Sequence, residues 1–550
     1  MIGGPSGSDG DPAAGEPDHV LGSRWVSGRG EGSGPAGLGV WWAVVARVLA
    51  VAPVVLCAAC SLVLDPGNLP PQTDAQAIDA PVIIDPSLLH IDSVAPMMIP
   101  EGAGTGGSRR ALIVVTGVSL LPDGVVTAEL MGPTPSRLPF TRSASFDGKK
   151  AGLAVEVPVM GDCSSGSRTI RITWTQGAAS QSTEAVKVQC LPELTSAPVG
   201  PLAPLYSRVV LDQAAAIHLG GAAPIRIEAV ADVVLRAPLD VDASGVDAGA
   251  YGCAGGAPSN PGSCGAGGGK PGQNGAGLTA AGGGGGGGFG GPGRDGEAPS
   301  GTGGAPTGSD TLVPLDDGGN RGNGGGGGGK STANRDGGPG GGGGGVIYLR
   351  ANGDLTVGDI DGHRGAISAR GGDGPSVGPA LTPGGGGGGG SGGAILVRVG
   401  GMITARAGWL TAPGGTGALK GAGMWATQGG DGGVGRVRID AAEGAVGSVA
   451  AMATSATTFR GPAWDKDTPW LVDVEATAPP LVLRGQPGRA FGLRVNDTAL
   501  AAMATPGPDG SVMLGNLPLV RGANKICAVA EPMMLQPESL SCIDVFYTGR

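Results

Sequence analysis

Unbroken glycine runs at Gly282–Gly288, Gly324–Gly329, Gly340–Gly345 and Gly384–Gly390 dominate the stretch from Gly245 to Gly433. A segment without side chains has nothing apolar to bury, so it cannot build a core of its own. Any order it has must come from backbone hydrogen bonds or from the structure into which it is inserted. Glycine makes up 114 of 550 residues, yet no strict Gly-X-Y period runs through them, which excludes a collagen helix. The last two runs lead, directly or within three residues, into Val346-Ile-Tyr-Leu-Arg350 and Ala394-Ile-Leu-Val-Arg398. A glycine run coupled to a strand, and then repeated, is the pattern of a repeat protein.

The repeat is visible on both sides of the runs. Short alternating strands begin at Ala216, Pro224, Val233 and Leu239. The unit returns from Val346 to Val357 and Ala366 to Gly374, then from Ala394 to Ala405 and Trp409 to Gly417, and it opens once more at Val434. Strand, turn, strand and glycine-rich loop predict a parallel β-helix-like solenoid over 202–445, with the runs as excursions from its turns. A side-chain-free chain can adopt an extended threefold helix and pack beside others of its kind, because only glycine tolerates such closeness. The alternative is a mobile glycine linker.

Two other regions alternate as β-structure. Over 87–192, Ile170, Ile172 and Trp174 share one face of a strand and Val186, Val188 and Cys190 share one face of the next, which predicts a β-sandwich. Residues 462–550 read as a further β domain. Six cysteines fall into local pairs, Cys163 with Cys190, Cys253 with Cys264 and Cys527 with Cys542. Such pairs in thin-cored domains point to disulfides in an oxidising compartment, the alternative being buried free thiols.

The N-terminal 59 residues read as a polar extension followed by an export signal, with Arg47 preceding a short apolar run and small residues. Residues 60–86 form a Pro- and Asp-containing linker. Leu56-Cys-Ala-Ala-Cys60 resembles the bacterial lipobox, and the resemblance implies that Cys60 becomes the lipid-modified N-terminus. Ser61 in place of aspartate then implies the outer membrane. Ile91-Asp-Ser-Val-Ala-Pro96 with Val114-Val-Thr-Gly-Val118 resembles the start of TIG-type immunoglobulin-like domains. Phe491-Gly-Leu-Arg-Val-Asn496 with Leu519-Val-Arg-Gly-Ala-Asn524 resembles bacterial immunoglobulin-like domains. The glycine-run pattern over 202–440 resembles uncharacterised glycine-rich surface lipoproteins of predatory, gliding soil bacteria of the myxobacterial type. The expected fold is therefore all-β: an immunoglobulin-like sandwich, the solenoid, and a C-terminal immunoglobulin-like β domain.

Several motifs match catalytic patterns formally. Gly324 to Gly329 with Lys330 and Ser331 satisfies the P-loop expression, but the following Thr-Ala-Asn-Arg-Asp-Gly-Gly-Pro cannot propagate the helix that holds phosphate. Gly389-Gly-Ser391-Gly-Gly fits a nucleophile elbow, without the strand–turn–helix context that makes one. None of His19, His90, His218 and His363 suggests a triad. Asp240, Asp242, Asp247, Asp354, Asp359, Asp361, Asp373 and Asp431 are spaced as turn residues and do not follow the calcium nonapeptide. Trp409 and Trp425 lie among glycines, where an indole either stacks on sugar rings or caps a thin core. A net charge of -10 with no basic cluster argues against nucleic acid.

The functional expectation is a lipid-anchored cell-surface structural or adhesive protein without catalytic activity, cofactor or metal. Its expected partners are the membrane, through the lipid, and an extracellular polysaccharide or another cell surface. A glycan- or ice-binding plate is the alternative. A β-helix polysaccharide-cleaving enzyme, with Asp240, Asp242 and Asp354 as its candidates, stands third.

Overall fold

The structure is a computed structural model that describes residues 85–548, apart from 101–110, 146, 159–166, 199–200, 277–279, 317, 332–335, 359–364, 377–383, 421–426, 443–451, 466–470 and 473–480. They belong to one compact unit, Val82–Arg550; the other, Met1–Pro81, lies outside the described residues, and Cys60 with it. Among the described residues the chain is all-β, with short 3-10 turns at Pro86–Leu88, Gly265–Gly267 and Pro537–Ser539.

The first strands are β1 (His90–Ala95), β2 (Met98–Pro100), β3 (Ala111–Val118), β4 (Val125–Leu130), β5 (Ser136–Arg137), β6 (Phe140–Ala144), β7 (Lys150–Val155), β8 (Arg168–Gln176) and β9 (Ala179–Gln189). They form two sheets, ordered β1-β3-β7-β6 and β2-β9-β8-β4-β5. Ile113, Val115 and Leu153 of one sheet and Ile170, Ile172 and Trp174 of the other share one core. The turn at Leu121–Gly124 does not close a hairpin. It carries the chain between sheets, since β3 pairs with β1 and β7 whereas β4 pairs with β5 and β8.

Next come β10 (Val209–Leu211), β11 (Ile217–His218), β12 (Ile225–Ala229), β13 (Val233–Leu235), β14 (Pro238–Asp240), β15 (Val346–Ala351), β16 (Leu355–Val357), β17 (Ala366–Ser368), β18 (Ala394–Val399), β19 (Ile403–Ala405), β20 (Leu410–Thr411), β21 (Gly435–Ala441), β22 (Ala453–Thr454) and β23 (Ala456–Arg460). Three parallel sheets take every third strand in turn: β10-β13-β16-β19, β11-β14-β17-β20-β22 and β12-β15-β18-β21-β23. The register stacks like on like. Val209, Val233, Leu355 and Ile403 form one aliphatic ladder, and Ile227, Leu349, Val397 and Ile439 form another, both inside the common core. The glycine excursions all leave at the same corner, between the second and third strands of a circuit: 241–345 after β14, 369–393 after β17 and 412–434 after β20.

These excursions are packed. Gly282, Gly285 and Gly288 donate to the carbonyls of Gln273, Lys270 and Gly267, Gly283 and Gly286 donate to Glu297 and Arg294, and Gly284 and Gly287 donate to Gly386 and Gly389, all at 2.8–3.0 Å. The carbonyls of Gly282 to Gly287 accept from Gly329, Gly301, Gly430, Gly326, Gly304 and Gly433 in the same order of three. The run is thus a threefold helix in contact with six neighbouring segments, and two of those come from later excursions. Nothing else satisfies so buried a backbone. A Cβ at Gly284, Gly286 or Gly328 would lie 1.9–2.1 Å from a carbonyl oxygen of the adjoining segment, so a side chain is excluded at each of these positions.

The outer face of β15 and β18 is covered too. Val346, Tyr348, Ala394 and Leu396 pack against Phe289, Leu312 and Leu315 of the first excursion in a second core. Burial on both faces explains why β15 and β18 read as near-continuous apolar runs. The chain ends in β24 (Ala463–Trp464), β25 (Leu471–Val472), β26 (Leu481–Arg484), β27 (Gly492–Val495), β28 (Thr498–Ala499), β29 (Ser511–Leu514), β30 (Gly522–Val529) and β31 (Leu540–Tyr547). These form sheets β24-β26-β29 and β25-β31-β30-β27-β28 over their own core. Asn496 and Asp497, both at positive φ, make the β27–β28 hairpin turn, and buried Asn524 ties off the turn before β30 through Val520 and Gly522.

Candidate functional site

The formal catalytic motifs are absorbed into the glycine lattice. Gly325 to Gly329 donate their amides to Gly341, Gly285, Asn260, Gly338 and Gly282, so this P-loop-like stretch has no amide cradle left for a phosphate. Lys330 pairs with Asp336 at 3.0 Å. Ser391 is fully buried; its Oγ accepts from the Asn323 amide at 2.8 Å and donates to the Gly392 carbonyl at 3.2 Å. That hydroxyl is a lattice strut.

The aspartates cap turns. Asp232, at the turn after β12, accepts from the amide of Asp354 at 2.8 Å, and Asp354, one circuit later, accepts from the amide of Met402 at 2.8 Å. Each carboxylate occupies the space beside the next turn's glycine, where a Cβ on Gly353 or Gly401 would lie 2.2 or 2.1 Å from it. Burial raises the Asp232 pKa, the neighbouring Asp354 charge adds to this, and the amide of Asp354 opposes it. Asp242 accepts from Ser368 Oγ and the Arg370 amide, both at 2.6 Å. Asp373 accepts from the amide and hydroxyl of Thr416 at 2.7 and 2.8 Å and from Arg370. Asp431 accepts from the Gly417 amide at 3.0 Å. Asp247 closes a turn with Ser244 through backbone bonds alone. Asp359, Asp361 and His363 lie outside the described residues. Among the described residues no three His, Cys, Asp or Glu side chains converge as a metal site.

One outward ladder does bring polar side chains together. His218, Asp240, Ser368, Thr411 and Thr454 occupy matched positions on β11, β14, β17, β20 and β22. His218 Nδ1 contacts Asp240 Oδ1 across the first pair. Asp240 stands between His218 and Ser368, and strands are ~4.8 Å apart, so the imidazole is about two strand spacings from that hydroxyl. The row is a flat polar face, and its order does not make a nucleophile–base pair. Asp354 sits at a different corner, in the turn between β15 and β16.

Sequence reasoning missed the most concentrated charge. Asp440 Oδ2 accepts from Arg398 at 2.8 Å and from Arg438 at 2.6 Å, with Arg438 and Asp440 wholly buried. Arg438 also donates to the Thr311 carbonyl of the first excursion at 2.6 Å. Arg398 donates to the carbonyls of Pro537, Glu538 and Leu540 at 3.1, 2.8 and 2.7 Å, and Glu538 pairs with Arg226. Burial disfavours the Arg398 charge, but Tyr348, Asp440 and Glu538 outweigh it and raise its pKa. The cluster is a clasp that joins the parallel sheets, the first excursion and the C-terminal sheets. Its trace in the sequence is Arg-Val-Arg-Ile-Asp at 436–440, where charge alternates in a strand whose outer face reads as solvated.

Of the two tryptophans considered for stacking, Trp409 is fully buried in the main core and presents no ring face to a ligand; Trp425 lies outside the described residues. Disulfides join Cys253 to Cys264 and Cys527 to Cys542. The first staples the outgoing arm of the first excursion. Cys163, expected to meet Cys190, lies outside the described residues. Among the described residues no helix is long and apolar enough to cross a membrane.

No known family, curated protein or solved structure matches this chain.

Proposed function

We propose that this is a lipid-anchored, non-enzymatic protein of the outer-membrane surface, with a structural or adhesive role. In this reading the two sheet pairs at either end, antiparallel except at β2–β9 and β25–β31, are immunoglobulin-like domains, and the three parallel sheets are the sides of a β-helix. The observation that carries it is the glycine lattice. Excursions from three successive circuits interlock through backbone bonds, which makes a stiff plate at the cost of ordering very flexible residues. The stretch that reads as an export signal, ending in the lipobox-like Leu56-Cys-Ala-Ala-Cys60, supports an exported location.

Metabolic palmitate labelling tests the anchor: the wild-type chain incorporates label and the Cys60→Ala variant does not. Equal labelling of the two would sink the anchor. Protease shaving of intact cells should release the 85–548 body; its retention would place it on the inner side.

Glycan binding is a second reading, favoured by the flat hydroxyl and carboxylate ladder from His218 to Thr454. A glycan array run with the full chain should then lose its signal in an Asp240→Ala, Thr411→Ala variant. The lattice rim carries ion pairs, Arg294 with Asp431 and Lys420 with Glu297, which makes it a poorer match for ice than an uncharged plate. An enzyme reading that uses Asp240 and Asp354 together is disfavoured by their placement at different corners.

A further inference from the structure

The β30–β31 connection carries three consecutive exposed apolar residues, Met533 at 90%, Met534 at 41% and Leu535 at 52% relative exposure. A run of this kind on a folded surface is a liability unless something covers it. The loop is also held firmly. Ser539 Oγ accepts from the Glu531 amide at 3.0 Å, and the Met534 amide donates to the Glu531 carbonyl at 2.9 Å. Below the tip, Arg398 grips the carbonyls of Pro537, Glu538 and Leu540. An apolar tip on a rigid, charge-clasped base is built to present those side chains.

We infer that the Met533–Leu535 tip inserts into the interfacial layer of a lipid bilayer, as a second membrane contact besides the proposed lipid on Cys60. The inference rests on the lipid-anchored reading. Three side chains cannot supply the ~800 Å² per partner that a stable protein–protein interface uses, so a second copy of the chain is a poor occupant. A bilayer asks only for a few apolar side chains at the headgroup boundary. Residues 61–84 connect Cys60 to the described body, and a chain of that length spans at most ~80 Å even when fully extended. A body held to the bilayer by such a tether meets it repeatedly without leaving, so weak insertion of the tip is enough. The excess of acidic over basic residues predicts that contact with a zwitterionic surface is stronger than with an anionic one at low salt.

The test uses the lipidated full chain in phosphatidylcholine vesicles, with an environment-sensitive dye on Met534→Cys. A control dye sits on Ala222→Cys, in the exposed turn after β11. Lipid-borne nitroxide should quench the tip dye about threefold or more relative to the control. Introducing Met533→Asp and Leu535→Asp should abolish the difference. Added phosphatidylglycerol should reduce the quenching at low salt and restore it at high salt. Equal quenching at the two positions in lipidated protein overturns the inference and leaves the anchor standing. So does a tip dye that stays aqueous on vesicles but shifts with lipid-free envelope proteins, which would make the occupant a protein. Loss of the anchor reads out separately, in the palmitate labelling of Cys60→Ala.

Discussion

At Gly285 an added Cβ would lie 2.1 Å from the Thr302 carbonyl oxygen, inside a lattice of backbone that has no flexible neighbour to give way. At Gly220 it would meet nothing within 4 Å, and the residue is exposed at a φ open to any side chain. The same Gly→Ala change should therefore act oppositely at the two positions. Gly285→Ala should lower stability by about 3 kcal/mol or more, in the range of overpacked or broken hydrogen-bonded cores. Gly220→Ala should be neutral or stabilise by up to about 1 kcal/mol, because it restricts the unfolded chain. Thermal melts of both variants decide the matter. Asp232 offers a pH-dependent counterpart. Its pKa is raised in the folded state, chiefly by burial, so the native protein binds this proton more tightly than the unfolded chain does. The Asp232 contribution is then most favourable below the usual carboxylate range and is lost as pH rises through the raised value. Asp232→Asn keeps an acceptor for the Asp354 amide while removing the charge. It should flatten the fall in stability on the acid side of neutrality, which pH-dependent denaturation measures.

The element that matters most is the threefold glycine run, and it carries its own arithmetic. Over Gly282 to Gly287 each amide and carbonyl meets a new neighbour, and the pattern returns after three residues. Deleting one glycine rotates every following residue toward the wrong neighbour, whereas deleting three restores the pattern one turn shorter. The single deletion should depress the melting temperature more than the triple deletion, although it removes less chain. If loss scaled with the number of residues removed, the lattice would not be the source of the order. How much of this was legible follows from what side chains encode. The strands of the parallel sheets were readable because Ile, Val and Leu mark the inner face with a period of two. That glycine runs belong together was readable from their recurrence at one corner of the repeat. Which run lies beside which was not, since identical glycines carry no code for partner choice. The Arg398–Asp440–Arg438 clasp was hidden for a related reason: a charged residue on a strand's outer face looks solvated until another element covers it. Asp440→Asn would leave two buried guanidinium groups without the carboxylate they share and should cost about 3–5 kcal/mol, read by chemical denaturation.

At the scale of the molecule, a row of spacers and a repeat suggests domains strung end to end, and the contacts say otherwise. A Cβ on Gly152, in β7 of the first sheet pair, would lie 2.5 Å from the ring of Phe546 in β31, the last strand of the chain. Beside it Lys150 Nζ donates to the Arg521 carbonyl at 3.3 Å. Phe546 is wholly buried, yet it lies outside the core that the C-terminal sheets share; its ring packs against β7 of the first sheet pair. The C-terminal sheet pair is meanwhile clasped to the parallel sheets by Arg398 and Arg226. It therefore touches both of its predecessors and couples them, something no local sequence pattern could announce, because β7 and β31 are separated by nearly the whole described chain. Phe546→Ala should remove about 3–5 kcal/mol, the ordinary loss for a buried aromatic. If the coupling is real, that loss should fall on the cooperativity of the molecule more than on any one domain. Calorimetry on the full chain should then show a single transition in the wild type resolve into two, with the earlier one belonging to the first sheet pair. A variant that melts lower but still in one step would mean that Phe546 supports only its own domain, and that the first sheet pair is held by contacts elsewhere.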